Sequence, residues 1–224
     1  IMTYQIKVYK YSMEINKISD QKKIVVWLYS VVILLMIMII VGGATRLTDS
    51  GLSITQWELF SGIFPPINEI EWNKYFNLYK EIPQYKLINQ NLSISEFKII
   101  FYWEYFHRLL GRVIGLVMFI PLLYFTFKKT FPIKTLVNLY IIFLMICLQG
   151  FVGWYMVESG LVNNTTVSHF RLSIHLTLAF IIFSSIIWNL KNIVYNQNIK
   201  FLIFNRETFI YQIFLALIFL QIVF

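Results

Sequence analysis

Four long runs of apolar residues along the chain predict four membrane-spanning helices. In chain order they cover about residues 24–45, 104–127, 134–157 and 169–189. Each run is close to the roughly 20 apolar residues that a helix needs to cross the hydrocarbon core. Pro121 lies inside the second run, where we expect it to kink the helix and not to end it. The pattern therefore predicts an all-α polytopic membrane protein whose four-helix bundle occupies residues 24–190.

A fifth apolar run begins near Thr208 and reaches Phe224. Its length of about 16 residues corresponds to about 24 Å at 1.5 Å per residue, which is less than the roughly 30 Å of the hydrocarbon core. We therefore expect residues 208–224 to be a truncated fifth transmembrane helix. The sequence is then expected to be a piece of a longer polytopic protein.

Charged residues between the apolar runs indicate how the helices are oriented. Residues 1–23 contain five lysines and residues 191–207 are also basic, whereas residues 47–102 contain six carboxylates against four lysines. Basic loops that alternate with acidic ones follow the positive-inside rule. We expect the N-terminal tail 1–23 and the loop 191–207 to be cytoplasmic and the loop 47–102 to be outside.

Composition narrows the classes of partner. The chain is 58% hydrophobic and 13% charged, whereas soluble domains are about a quarter charged. Its net charge of +8 is concentrated in the loops predicted to be cytoplasmic. The expected surroundings are membrane lipid, and no nucleic-acid partner is expected. The single cysteine, Cys147, lies in an apolar run, where we expect a small buried side chain.

The loop 47–102 is the one sizeable segment outside the predicted spans. It combines prolines, aromatic residues and charges. A stretch around Glu71 to Glu81 has the mixed pattern of an amphipathic helix, which can lie on the face of a membrane. We expect a short helix of this kind there, on the outer side.

Two histidines, His107 and His175, lie inside the second and fourth apolar runs. Ionisable groups at membrane depth are costly and therefore usually functional. Two imidazoles on two helices of a bundle can hold a haem iron from both sides. Both helices are predicted to run inward from the outer face, so His107 and His175 are expected at similar depth. They are our candidate haem-iron ligands, with a packing role as the alternative.

A third histidine and a glycine stripe accompany this pair. His169 precedes His175 by six residues, which is about 600° of helical rotation, so the two cannot face one haem in the same way. We expect a structural or hydrogen-bonding role for His169. Gly111 and Gly115 follow His107 at four-residue spacing, and this stripe suits either a flat macrocycle or close helix packing.

Several charged residues cluster near the predicted outer ends of the helices. Glu104 lies one turn before His107 and is a candidate proton acceptor or electrostatic stabiliser, with helix-dipole pairing as the alternative. Four arginines are candidate partners for haem propionates, or else pair with carboxylates and lipid headgroups. They are Arg46, Arg108, Arg112 and Arg171.

Four segments in register resemble the haem A synthase family in its alphaproteobacterial and mitochondrial form. They begin Gly-Gly-Ala-Thr-Arg, Glu-Tyr-Phe-His-Arg, Gln-Gly-Phe-Val-Gly and Ser-His-Phe-Arg-Leu, and they occupy residues 42–53, 104–112, 149–161 and 168–178. Their order and spacing match the family over about residues 25–190. Four long motifs in register are much more specific than a single Glu-x-x-His.

The resemblance implies half of an eight-helix, two-repeat fold in the bacterial inner membrane. It implies an oxidoreductase that converts the ring methyl of haem O to a formyl group, giving haem A for a terminal oxidase. In that picture His107 and His175 bind the iron of the substrate, haem O, and Glu104 assists methyl oxidation. A haem b is expected in a second half. Haem O synthase and terminal-oxidase assembly factors are the implied protein partners, and a homo-oligomer is an open alternative.

Two further readings remain open beside the enzyme. The same histidines would serve a non-catalytic haem-binding membrane cytochrome or assembly module. The other interpretation is that the chain is an inactive, degenerate fragment. Glu104 distinguishes the first of these from the enzyme, because an electron carrier needs no carboxylate one turn from its ligand.

Overall fold

The computed structural model describes residues 2–57 and 61–195, together with seven single positions between 209 and 221. In chain order the helices are α1 (Met2–Leu47), α2 (Glu69–Lys80), α3 (Pro83–Leu87), α4 (Ile94–Phe127), α5 (Ile133–Asn163) and α6 (His169–Tyr195), with a 3-10 turn at Ser61–Ile63. The described residues contain no strand, which confirms the all-α prediction. Most of the predicted fifth helix and most of the loop 191–207 lie outside the described residues.

Among the described residues, four helices are long and apolar enough to cross a membrane, as predicted. The candidate spans are Asp20–Leu47, Ile94–Phe127, Ile133–Glu158 and His169–Tyr195. The second begins about ten residues before the predicted run. Helix α4 has 34 residues, which is about 51 Å at 1.5 Å per residue and well beyond the hydrocarbon core. Its first turns therefore extend out of the apolar layer.

A capping box sets the early start of α4. The Ser93 hydroxyl accepts a hydrogen bond from the backbone N–H of Glu96 at 3.3 Å, and the Glu96 carboxylate accepts one from the backbone N–H of Ser93 at 2.8 Å. This reciprocal pair satisfies two of the N–H groups that a helix start leaves without partners. The Ser-x-x-Glu signal is visible in the sequence, but it precedes the apolar run and hydrophobicity alone misses it.

The four long helices form a closed ring of neighbours. Helix α1 packs against α4 and α6, and α5 also packs against α4 and α6. Helices α4 and α6 therefore face each other across the diagonal of the bundle. One end of the bundle is filled by a tightly packed apolar cluster that includes Leu28, Met118, Leu122, Leu139 and Ile186, each fully buried.

Polar contacts fasten the helices at that same end. The Lys128 ammonium lies 2.6 Å from a carboxylate oxygen of Asp20, and this hydrogen bond raises the pKa of Lys128. The Gln21 amide donates to the Ile193 carbonyl at 3.2 Å. The start of the first span, the α4–α5 turn and the end of α6 are thereby held together.

Cys147 is exposed on the surface of the bundle, so the prediction that it is buried was wrong. The physical reason is that a membrane span is surrounded by lipid and not by water. A span that faces lipid carries apolar residues on its outer surface as well as on its inner one, so an apolar neighbourhood does not distinguish the two.

The described residues of the loop 48–93, which we call the cap, cover the first turns of α4 at the other end of the bundle. The predicted short helix is found as α2, started by the Asn68 side chain, which accepts a hydrogen bond from the backbone of Glu71. Its buried face, which includes Trp72, Phe76 and Tyr79, packs on the first turns of α4. The buried cluster consists of Leu52, Ile54, Trp72, Phe76, Tyr79, Ile82, Phe97, Phe101 and Tyr105.

An indole from α1 supports the helix at its internal proline. Pro121 has no N–H, so the Val117 carbonyl one turn earlier loses its usual partner within the helix. The Trp27 indole N–H donates to that carbonyl at 2.7 Å. Helix α4 thus continues through Pro121, as predicted, and α1 supplies the hydrogen bond that the proline removes.

We expect Trp27→Phe to lower the free energy of unfolding by about 1–3 kcal/mol, the usual cost of a buried group left without a partner. In a Pro121→Ala background the restored N–H can serve the Val117 carbonyl, so Trp27→Phe should then cost much less. Denaturant unfolding in detergent measures both, with Trp103→Phe at an exposed position as the control. An equal cost of Trp27→Phe in both backgrounds would contradict this account.

Candidate functional site

The two candidate ligands come from the diagonal pair of helices. His107 lies on α4 and His175 on α6, and the two imidazoles are close enough to interact electrostatically. The Nδ1 atom of each ring is buried without a hydrogen-bond partner. Leaving a buried polar atom unpaired is costly, and such an atom in a native fold usually has a functional reason. The fold thus brings the two predicted ligands into the same region of the bundle.

Each imidazole lies against a glycine of a neighbouring helix. A Cβ atom built at Gly42 of α1 would lie 3.0 Å from Cε1 of His107, and one built at Gly153 of α5 would lie 3.1 Å from Cε1 of His175. Ordinary van der Waals contact begins at about 3.5 Å between carbon atoms. A Cβ atom at either position would require the imidazole or the helix to shift by a few tenths of an ångström.

The predicted glycine stripe is placed differently. A Cβ at Gly111 would meet the Met38 side chain of α1 at 3.5 Å, and one at Gly115 would meet nothing within 4 Å. Neither glycine lies against an imidazole. The glycines that do so are on α1 and α5, about 65 and 22 residues away along the chain from their histidines.

The helices are not tightly packed at the level of the histidines. None of the residues 106–113 of α4 or 174–181 of α6 is fully buried, in contrast to the apolar cluster at the far end of the bundle. A Cβ atom built at Gly115 would also meet no atom within 4 Å. The bundle is thus packed less tightly around the two imidazoles than at its far end.

The donor set points to the same class of ligand. Among the described residues, no group of three or more histidine, cysteine or acidic side chains could hold a bare metal ion. Two neutral imidazoles on opposite sides are instead the axial set of a haem whose other four ligands are its own nitrogens. His107 and His175 therefore fit a haem better than a protein-bound ion.

Glu104 is a buried hub between α4 and the cap. It is 3% exposed. Its Oε2 accepts hydrogen bonds from the Ser53 hydroxyl at 2.7 Å and the Ile54 backbone N–H at 2.8 Å. Its Oε1 accepts two from the Arg108 guanidinium, at 3.0 and 2.5 Å. Both oxygens are thus held by donors of the chain itself, one turn before His107.

Arg108 extends this hub to the loop after Ser53. It donates to the Ile54 carbonyl at 2.8 Å and lies 3.4 Å from the Gln56 carbonyl, and its guanidinium lies 5.2 Å from the ring centre of Trp57. The pairing with Glu104 was one of the alternatives that the sequence left open. The sequence did not indicate Ser53 and Ile54 as partners of Glu104. They lie about 50 residues before Glu104, and nothing in the local sequence signals this contact.

The other predicted cationic residues lie around the cap end of the helices. Arg46, exposed at the end of α1, is 3.5 Å from Nδ1 of His169, in line with the hydrogen-bonding role expected for His169. Arg171 donates to the Tyr155 carbonyl at 3.2 Å and stacks over its ring at 4.2 Å. Arg112 is half-buried and lines a small cavity together with Arg108.

Comparison with known proteins shows the family to which the chain is similar. The family model described as cytochrome oxidase assembly protein, COX15-CtaA, matches residues 25–224. A heme A synthase of Pelagibacter ubique is 56% identical over 183 residues, which are 81% of this chain and 54% of that protein. A heme A synthase of Flavobacterium johnsoniae is 45% identical over 181 residues, 80% of this chain and 53% of that protein.

A third relative extends further along the chain. The heme A synthase of Flavobacterium psychrophilum is 44% identical over 208 residues, 92% of this chain and 61% of that protein. The chain spans about half the length of the curated relatives it matches. No solved structure matches it.

Proposed function

Because the chain belongs to the COX15-CtaA family of cytochrome oxidase assembly proteins, we propose that it carries the haem O-binding part of a haem A synthase. The reaction is the oxidation of a ring methyl of haem O to a formyl group. The observation that carries the proposal is the pair of half-buried imidazoles on diagonal helices, each with a buried Nδ1 that has no hydrogen-bond partner.

In this proposal His107 and His175 bind the iron of the substrate from opposite faces. When bound, the haem iron supplies the redox chemistry. The chain contributes position, because two ligands on helices with fixed neighbours hold the macrocycle in one plane. It also excludes water from one side of the layer, because the apolar cluster closes that end of the bundle. A haem b in the part of the relatives that this chain does not match is the proposed second group.

The propionates of the substrate are proposed to face the cap end. Arg46, His169 and Arg171 lie there, and guanidinium groups bind carboxylates in a bidentate manner. Arg112 lies one turn beyond Arg108 and is proposed as a further contact. Arg108 is the weakest of these candidates, because its donors are already directed to Glu104 and to cap carbonyls.

The catalytic role of Glu104 stays a prediction, and the geometry favours a positioning role. A proton acceptor needs an oxygen that reaches the substrate. Both oxygens of Glu104 accept hydrogen bonds from Ser53, Ile54 and Arg108. We infer that Glu104 fastens the cap to α4 directly before His107 and thereby keeps the ligand in place.

A non-catalytic haem-binding module is the second candidate function. The hydrogen bonds of Glu104 to Ser53, Ile54 and Arg108 favour this module, because they leave no described carboxylate free beside the imidazoles. The enzyme is preferred because the three relatives named above, which match 80–92% of this chain, are haem A synthases. Haem O synthase and oxidase assembly factors are proposed protein partners.

The chain is a multi-pass membrane protein, and we propose the bacterial inner membrane with the cap outside. Lys128 and Asp20 lie together at the end opposite the cap, next to the basic tail and the basic turn after α4. The positive-inside rule puts that end in the cytoplasm. A cysteine introduced at Asn91 should react with an impermeant thiol reagent added to spheroplasts. Labelling only after the inner membrane is opened would contradict this orientation.

The experiment that tests the function is a pigment analysis. The gene, with any downstream coding sequence, is expressed in a host that makes haem O but no haem A, and extracted haems are separated by chromatography. We expect haem A to appear, and to disappear in His107→Ala. Haem O bound to the protein without any haem A would support the non-catalytic module instead. Absence of all haem from the purified protein would overturn both.

A further inference from the structure

We propose that Gly42 and Gly153 are positioning residues that set the ring planes of His107 and His175. Each glycine gives one imidazole a flat stretch of helix backbone to lie on. The proposal rests on the haem ligation proposed above. It assigns a role to two residues of α1 and α5, the helices that carry no ligand.

The contact on α1 is tighter than an ordinary Cβ contact. A Cβ at Gly42 would lie 3.0 Å from Cε1 and 3.4 Å from Nδ1 of His107. Near this contact the Thr45 hydroxyl of α1 lies 3.4 Å from the Trp103 carbonyl of α4, and the two helices are neighbours in the ring. With the helices held, a methyl group at position 42 displaces the ring and not the backbone.

The contact on α5 has the same form. A Cβ at Gly153 would lie 3.1 Å from Cε1 and 3.6 Å from Nδ1 of His175. One turn earlier on α5, the Gln149 amide donates to the main-chain carbonyl of His175 at 2.9 Å. The backbone of the ligand is thereby tied to α5, and again the imidazole is what a methyl group would move.

The buried Nδ1 atoms make these contacts more important. A ligating histidine is usually oriented by a hydrogen bond from its second ring nitrogen. In His107 and His175 that nitrogen has no partner, so no hydrogen bond fixes the ring plane. Packing against a bare helix backbone takes over that role.

Two other glycines provide matched controls. Gly43 is the next residue after Gly42, and Gly150 lies on α5 three residues before Gly153. A Cβ at either would meet no atom within 4 Å. Alanine is a better helix former than glycine at all four positions, so loss of helix stability cannot explain a defect that appears only at Gly42 and Gly153.

The test compares Gly42→Ala and Gly153→Ala with Gly43→Ala and Gly150→Ala in the purified haem-bound protein. The EPR spectrum of a ferric haem with two imidazole ligands depends on the angle between the ring planes. We expect changed g values and a haem affinity about 10-fold or more lower in the first two variants, the scale seen when a residue that orients a ligand is lost. The two controls should match the parent protein.

A second arm uses haem-free protein and the rate at which diethyl pyrocarbonate modifies each histidine, read by mass spectrometry. Gly42→Ala should change the rate at His107 alone and Gly153→Ala the rate at His175 alone, with exposed His169 as the internal reference. If all four alanine variants give the parent EPR spectrum and modification rates, the inference is overturned. If the protein never binds haem, the proposed function fails, and the modification rates still decide the role of the glycines.

Discussion

Replacing His107 or His175 by alanine abolishes stable haem binding in our account. Each substitution removes one axial ligand of the iron, and the remaining imidazole cannot hold the macrocycle between α4 and α6 by itself. Haem O per protein, measured by chromatography of the extracted haems after purification, should fall to near the background. His169→Ala is the control, because that ring is exposed and lies near Arg46. Normal haem content in both His107→Ala and His175→Ala would reject the ligand assignment.

The same positions should behave in the opposite way when haem is absent. Both rings bury an Nδ1 atom without a partner, which costs about 1–3 kcal/mol for each group. We therefore expect haem-free His107→Leu and His175→Leu to be at least as stable as the haem-free parent. Leucine has a side chain of similar size that is apolar, so it fills the space and removes the unpaired nitrogen. A clear loss of stability would show that the imidazoles serve packing.

Glu104→Ala should give the largest loss of stability among the charged residues. It leaves the Arg108 guanidinium, the Ser53 hydroxyl and the Ile54 N–H without their shared acceptor. Breaking a buried ion pair by removing one partner costs about 3–5 kcal/mol. The side chains of Glu104 and Arg108 are 4% and 11% exposed, so water offers little replacement. Denaturant unfolding in detergent measures the effect.

The exposed pair Glu81 and Lys86 is the matched control. Their side chains are 79% and 55% exposed, and exposed ion pairs contribute at most about 1 kcal/mol. Glu81→Gln should therefore change the free energy of unfolding very little. If Glu104→Gln keeps parental stability and haem content but makes no haem A, the carboxylate acts on the substrate, and our positioning role for it is wrong.

The length of the apolar runs predicted the spans. Residues that face lipid and residues that face the bundle core are both apolar, which gives long uninterrupted runs. The same physics made Cys147 unpredictable, since an apolar run does not tell which side faces the bundle. His107 and His175 were found because an imidazole in such a run is costly and stands out. The shared direction of their helices predicted that the two histidines lie at similar depth. The packing of the four helices places those two helices on the diagonal.

The parts of the site that sequence analysis missed are contacts over long sequence separations. Gly42 meets His107 and Ser53 meets Glu104 only after α1, the cap and α4 have come together. A glycine or a serine in a motif has many local explanations, and no spacing rule selects these partners. The start of α4 is different, because the Ser93 capping box was readable and the apolar pattern concealed it.

The near-infrared magnetic circular dichroism spectrum of the ferric haem in the purified protein tests the central claim most directly, because this band reports the identity of both axial ligands. The account predicts a low-spin iron with two neutral imidazoles in the parent protein. It predicts one imidazole and one thioether in both His107→Met and His175→Met. A parent spectrum that does not show two imidazole ligands would contradict a haem held between α4 and α6. A spectrum that His107→Met or His175→Met leaves unchanged would also contradict it.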